Sequence, residues 1–322
     1  MLAVLVALTL AVTSDGAAVL PIALRETQTF TAPEGTAPLV EVAGVVADAL
    51  GQVWATDAAG HRLVRWNARG AWLGESGALG SDANQFRRPT ALARLGSLGV
   101  AVLDVENRRV VAYDMLGRLT DLTVALEDPA LASVTGRIAP VALASDRGGA
   151  LYVADSDRDR FLAFDFAGHY QRSQGAYGTG PGAFHGLAAL AVGTRGEILT
   201  LERSLPAAKR KRAAADSAGA GAPARVQRLD AGGTPLASFT LDAGSARDFA
   251  IAVDDSGRVA VALSGGRKDE VRLFDRDGAP LAVLGGLLAP RAVAFAPDGT
   301  LLVAEAGGAR VRRFALAAVR GE

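Results

Sequence analysis

A chain of 322 residues that is 50% hydrophobic and 21% charged has a globular composition, which excludes the low-hydrophobicity, high-charge regime of disordered chains. Its 34 basic and 34 acidic residues cancel, so there is no whole-molecule field to hold nucleic acid or an anionic membrane. Without cysteine there is no disulfide, thiolate nucleophile or zinc–sulfur site, and three histidines make a histidine-rich metal site hard to assemble.

Leu2 to Val12 form an apolar run of about eleven residues, the length of a signal-peptide core and well short of the roughly 20 that span a bilayer as a helix. Small residues follow at Ser14, Gly16, Ala17 and Ala18, so a signal peptide over residues 1–18 and a secreted or periplasmic mature chain are expected. No basic residue precedes the run, the first being Arg25, and an unprocessed apolar strand is the alternative. No later stretch reaches about 18 uninterrupted apolar residues, so no transmembrane anchor is expected once the leader is removed. Residues 19–322 then read as one domain.

Leu24 to Phe30 alternates in the manner of a strand, and from Val40 onward one unit recurs six times. Its middle reads Gly51-Gln-Val-Trp-Ala-Thr-Asp57, Gly99-Val-Ala-Val-Leu-Asp104, Ala150-Leu-Tyr-Val-Ala-Asp155, Gly196-Glu-Ile-Leu-Thr-Leu-Glu202, Gly257-Arg-Val-Ala-Val-Ala-Leu263 and Gly299-Thr-Leu-Leu-Val-Ala-Glu305. The closing positions, 57, 104, 155, 202, 263 and 305, are separated by 47, 51, 47, 61 and 42 residues, at or near the period of a four-stranded propeller blade except at one insertion. Before each middle run lies a first strand, such as Thr90-Ala-Leu-Ala, ending in an Asp/Gly turn that supplies positive φ. After it comes a third strand, such as Arg109-Val-Val-Ala-Tyr113 or Arg160-Phe-Leu-Ala-Phe164, and a second Asp/Gly turn into a short fourth strand. These patterns predict an all-β fold, a six-bladed β-propeller of four-stranded antiparallel blades. The last unit stops eight residues after Phe314, before a fourth strand, so the N-terminal strand is expected to complete that blade and close the ring.

Asn84-Gln-Phe-Arg-Arg-Pro89, Asp104 through Asn107-Arg-Arg-Val-Val-Ala-Tyr-Asp-Met-Leu-Gly117, and Ala150 through Phe164-Asp-Phe-Ala-Gly168 resemble NHL repeats, and the likeness spans roughly residues 40 to 316. The resemblance implies a platform that binds ligands or protein partners. It also admits enzymatic relatives, such as amidating lyases and gluconolactonase-like hydrolases, since a fold does not choose a function.

The carboxylates Asp57, Asp104, Asp155, Glu202 and Glu305 hold one repeated position, and such a ring could bind Ca²⁺ through oxygen. Each is matched by an arginine ahead of the third strand: Arg62, Arg109, Arg160, Arg225 and Arg310. In the fifth unit both partners are exchanged together, for Leu263 and Glu270, which an intra-blade ion pair predicts and a shared metal ring does not. No cofactor is therefore expected, with Ca²⁺ the minor alternative. His185, Arg88, Arg247 and Arg291 stand near the starts of first strands and are the ligand-binding candidates for the channel mouth, while His61 and His169 sit in polar turns. No catalytic Ser-His-Asp set is assignable from spacing. The insertion at 203–224 carries Lys209-Arg-Lys-Arg212 in an Ala/Gly/Pro context and is expected to be a flexible loop. The expected function is an exported NHL-type scaffold that binds a small molecule or protein. The alternative is a lactonase-like hydrolase or amidating-lyase-like enzyme working at the channel mouth.

Overall fold

The computed structural model describes residues 22–97, 99–205 and 222–318. The signal peptide expected over 1–18 and the basic run Lys209 to Arg212 lie outside the described residues. Among the described residues, twenty-four strands form six four-stranded antiparallel sheets, one per blade. Blade 1 holds β2 (Val42–Ala47), β3 (Val53–Asp57), β4 (Arg62–Trp66) and β5 (Trp72–Ser76). Blade 2 holds β6 (Pro89–Leu95), β7 (Gly99–Asp104), β8 (Arg109–Asp114) and β9 (Leu119–Ala125), followed by a short helix α1 (Pro129–Thr135). Blade 3 holds β10 (Pro140–Ser145), β11 (Leu151–Asp155), β12 (Arg160–Phe164) and β13 (Tyr170–Gln174). Blade 4 holds β14 (Leu187–Val192), β15 (Ile198–Glu202), β16 (Ala224–Leu229) and β17 (Pro235–Leu241). Blade 5 holds β18 (Asp248–Val253), β19 (Val259–Ser264), β20 (Glu270–Phe274) and β21 (Pro280–Leu284). Blade 6 holds β22 (Pro290–Phe295), β23 (Leu301–Glu305) and β24 (Arg310–Ala318), with β1 (Ile22–Phe30) as its outermost strand.

The local chemistry explains the hairpins. Asp48, Asn67, Asp114, Asp146, Asp165, Asp230, Asp254 and Asp275 each accept amide hydrogen bonds within the turn they open, drawing the chain around on itself. The glycine three residues on takes positive φ, as at Gly51 (74°), Gly117 (81°) and Gly278 (92°), where a side chain would be strained. The second strand of every blade is wholly buried because neighbouring blades cover both its faces. Outer strands such as β5 and β17 are largely exposed or half-exposed and carry more polar residues.

The apolar core is divided among the blade interfaces. Between blades 6 and 1, Phe30 and Trp66 meet at 5.6 Å and pack with Val42, Val64, Leu302 and Val311. β1 pairs with β24 from Ile22↔Ala318 to Phe30↔Val311, with one irregularity between Glu26 and Gln28. The same N-terminal segment reaches blade 1, where the Trp66 indole donates to the Thr31 carbonyl (3.0 Å) and Gln28 donates to the Arg69 carbonyl (2.8 Å). Ring closure is thus a strand added to blade 6 and tied to the blade that begins the ring.

The insertion begins and ends together. The Leu205 amide donates to the Ala222 carbonyl (2.8 Å), bridging its neck beside blade 4. Loop-closure entropy varies slowly with length, so replacing residues 206–221 by a short Gly/Ser turn is expected to move the melting temperature by no more than about 2 °C. A loss of cooperative unfolding by circular dichroism would show that the replaced segment packs against the disc.

Candidate functional site at the channel mouth

The innermost strands β2, β6, β10, β14 and β22 each break register one residue after their start, which leaves Ala43, Thr90, Val141, Ala188 and Arg291 unpaired. A bulge bends its strand and re-aims one side chain, and these five residues all line the opening of the central channel. β18 has no bulge, and Phe249 holds the corresponding place. One residue deeper the channel is walled by Gly44, Ala91, Ala142, Ala189, Ala250 and Ala292, and next by Val45, Leu92, Leu143, Leu190, Ile251 and Val293. These rings enclose a funnel of about 330 Å³ on the face that carries the loops after second and fourth strands. At Gly44 a Cβ would lie 2.6 Å from the Thr90 carbonyl oxygen and 2.8 Å from Thr56 Oγ1, so only glycine admits this approach of blades 1 and 2.

Charge is confined to the rim. Arg88 of blade 2 pairs with Glu41 of blade 1 at 2.9 Å, and Arg291 of blade 6 pairs with Asp248 of blade 5 at 2.5 Å. Arg203 of blade 4 lies over the Phe249 ring at 5.8 Å and makes no ion pair among the described residues. Three arginines from blades 2, 4 and 6 thus face two carboxylates around the opening.

The four channel-mouth candidates separate by register and by the bulge, which β6 has after Arg88 and β18 lacks after Arg247. Arg88 and Arg291 line the funnel, whereas His185 and Arg247 are not among its lining residues. Counted from the aliphatic ring, Arg88 and Arg247 are four residues out, Arg291 two and His185 five. On a strand each single step reverses the side-chain direction. Arg247 is exposed outside the opening. His185 is buried, with Nδ1 2.9 Å from Glu202 and Nε2 3.4 Å from the Pro223 carbonyl. Of the other histidines, His61 accepts from the Arg88 amide through Nδ1 (3.2 Å), and His169 lies 3.4 Å from Asp165 in an exposed turn. Glu41, Thr90, Arg203, Asp248 and Phe249 escaped the sequence reading. Only Arg203, directly after the repeated carboxylate Glu202, had a repeat position that pointed to it.

The repeated carboxylates sit beside the repeated arginines: Asp57–Arg62 at 3.0 Å, Asp104–Arg109 at 3.1 Å, Asp155–Arg160 at 2.9 Å, Glu202–Arg225 at 2.7 Å and Glu305–Arg310 at 2.5 Å. All five carboxylates are fully buried. Each also accepts an amide from the segment entering its blade, such as Glu41 N to Asp57 (2.9 Å) or Ala139 N to Asp155 (3.0 Å). Four of the arginines extend to carbonyls of that segment, as Arg109 does to Asp82 (2.9 Å) and Arg225 to Ala183 (2.8 Å), and in blade 6 Arg312 reaches the Gly286 carbonyl (3.3 Å) in place of Arg310. Each pair therefore pins an inter-blade loop to the blade it enters. Where Leu263 replaces the acid, the Arg247 amide donates to the Ser264 carbonyl (2.9 Å) and the β18–β19 ladder runs without a bulge. Glu270 there pairs with Arg272 at 2.6 Å, and Arg272 reaches the Asp242 carbonyl, so the pin survives with its polarity reversed along β20.

Two of these acids are shifted in opposite directions. Burial pushes the Glu202 carboxyl up, but His185, Arg225 and Gln227 together outweigh it and hold the group below its ordinary value. At Asp104 burial prevails over Asn107, the Arg87 amide and Arg109, and the carboxyl is raised. Among the described residues no set of three or more His, Asp and Glu side chains is arranged to hold a metal ion.

The opposite mouth is a wider opening of about 610 Å³ bordered by first-to-second-strand turns, including Asp146, Arg147, Asp254, Asp255 and Asp298. It shares the aliphatic ring with the funnel, so that ring is the waist of the channel.

No protein-family model and no curated protein matches the chain. Among solved structures it is similar to a streptogramin B lyase, with TM-score 0.58 and 15% identity over 92% of this chain and 98% of that one. It is similar to virginiamycin B lyase from Staphylococcus aureus, with TM-score 0.60 and 12% identity over 92% of this chain and 100% of that one. It is also similar to the hydrazine synthase of Kuenenia stuttgartiensis, with TM-score 0.54 and 13% identity over 90% of this chain and 100% of that one. At such identity the likeness shows the fold alone, a six-bladed β-propeller with lyases among its structural neighbours.

Proposed function

We propose that this propeller is a binding module that takes a small ligand in the funnel on the Arg88–Arg291 face. The observation behind this reading is the funnel itself: three rings of side chains, one from each blade, under a rim that gathers three arginines and two acids. Binding sites of this kind are concave, mostly apolar and oriented by a few polar groups. The NHL-like repeats and the export of the chain belong to this proposal, and N-terminal sequencing of the protein secreted by its host tests the second.

Anilinonaphthalene sulfonate, a fluorescent apolar anion, is a suitable first probe. It is expected to bind the wild type at one site and to be excluded by Thr90→Trp, which fills the mouth from the bulge position. Equal dye binding by a Thr90→Trp variant of unchanged melting temperature would remove the funnel as the site.

The lyase neighbours favour a second reading, in which the same funnel houses an elimination or hydrolysis reaction. A general base must come within hydrogen-bond reach of the proton it removes. His185 is buried outside the funnel lining, which supports binding over catalysis. Incubation with virginiamycin B, followed by mass spectrometry, tests the enzyme reading; a ring-opened product lost in Arg291→Ala would put catalysis first.

A further inference from the structure

We infer that the ligand of this funnel is an amphiphile with one anionic head group and an alkyl tail, the head held between Arg88, Arg203 and Arg291 and the tail descending to the aliphatic waist. This rests on the funnel being a binding site and goes further by naming what it takes.

The head group follows from unused donors. Arg88 and Arg291 each meet their acid through one terminal nitrogen, although a guanidinium carries five N–H donors. Arg291 Nε is buried without a partner, and so is Thr90 Oγ1. Both belong to the bulge ring that lines the funnel. Buried polar atoms are normally satisfied, so two orphans in the bulge ring are donors that no protein group has taken up. Arg203 adds a cation without an acid among the described residues, and the rim carries three positive charges against two negative. An anion would be shared by three guanidinium groups set on alternate blades, while a cation would meet Glu41 and Asp248 already paired.

The tail follows from what lies below. Beneath the bulge ring the next two rings contain twelve residues, all glycine, alanine or branched aliphatic, so no side chain there supplies a polar partner. The inner strands are sheet edges whose backbone amides and carbonyls also border the channel, and an alkyl chain descending past Thr90 packs on the apolar side chains between them. The small-residue ring leaves room for it, and the waist at Val45, Leu92, Leu143, Leu190, Ile251 and Val293 ends its path.

Titration calorimetry with hexanoate, octanoate, octylamine and octanol at fixed ionic strength tests the proposal. Octanoate is expected to bind about fifteen-fold more tightly than hexanoate, the effect of burying two methylenes at about 0.8 kcal/mol each. Octylamine and octanol are expected to bind at least about ten-fold more weakly than octanoate, and Arg203→Met and Arg291→Met each to lose about ten-fold in octanoate affinity, the scale of one charge-assisted hydrogen bond. Arg203 is exposed, so its variant reports on recognition even if Arg291→Met is destabilised. Failure of octanoate to bind overturns the inference, as does octylamine or octanol binding equally well. If those neutral or cationic probes bind and Thr90→Trp excludes them, the funnel remains the site and only the ligand class is wrong. If octanoate binds and Thr90→Trp has no effect, both readings fall.

Discussion

Deletion of residues 1–31 is expected to lower the melting temperature by at least about 10 °C and to broaden the unfolding transition. β1 buries Ile22, Leu24 and Phe30, and full burial of such side chains contributes about 1.5–3 kcal/mol each, against a total stability of about 5–15 kcal/mol for a typical protein. The deletion also bares β24 along Arg310–Ala318, turning a paired strand into a long edge that invites association between molecules. It strips Arg312 of its Glu26 partner (2.6 Å) and the Trp66 indole of its acceptor at Thr31. Calorimetry together with light scattering checks this. A truncated monomer melting within about 3 °C of the full chain would show that the ring holds without its clasp.

Glu202→Gln is expected to destabilise the protein by about 3–5 kcal/mol at neutral pH, because it leaves Arg225 as an uncompensated, nearly buried charge. Adding Arg225→Met should recover part of that loss, since contacting residues are not additive. The pH dependence identifies the cause. The folded value of Glu202 lies below its ordinary 4.5, so its contribution is present above pH 4.5 and is lost as pH falls through the folded value. The gap between wild type and Glu202→Gln should therefore close in acid. At Asp104 the sign reverses: its folded value is raised above 3.8, so its contribution is complete below that pH and declines as pH rises through the folded value. Urea unfolding of Glu202→Gln and Asp104→Asn between pH 3 and 7 compares them. Parallel pH profiles for the two variants would contradict the opposed electrostatics of these sites.

The carboxylate–arginine positions were legible because both partners recur with the blade and lie on paired strands, as Asp155 faces Arg160 across the β11–β12 hairpin. Their other half was not. The amides and carbonyls they pin, such as Ala139 N and Thr135 O, come from loops whose repeats differ in length and sequence. The funnel was legible only in part. Arg88, Arg247 and Arg291 look alike in the sequence, each beside the start of a first strand, yet one bulge separates a side chain on the opening from one outside it. Glu41 and Asp248 gave no signal, because each acquires its role from an arginine on the neighbouring blade.

Strand alternation, Asp/Gly turns and a repeat near 47 residues determined by themselves that the chain forms six four-stranded blades, and the alternating N-terminal segment supplies the outermost strand of the sixth. Those signals are local: period-two burial and turn chemistry act within a few residues, so they survive in the order of amino acids. Tertiary structure alone decided which side chains meet at the channel. There the bulges set direction, residues more than 40 positions apart become neighbours, and orphaned donors at Thr90 and Arg291 arise only after six blades have closed around a common axis.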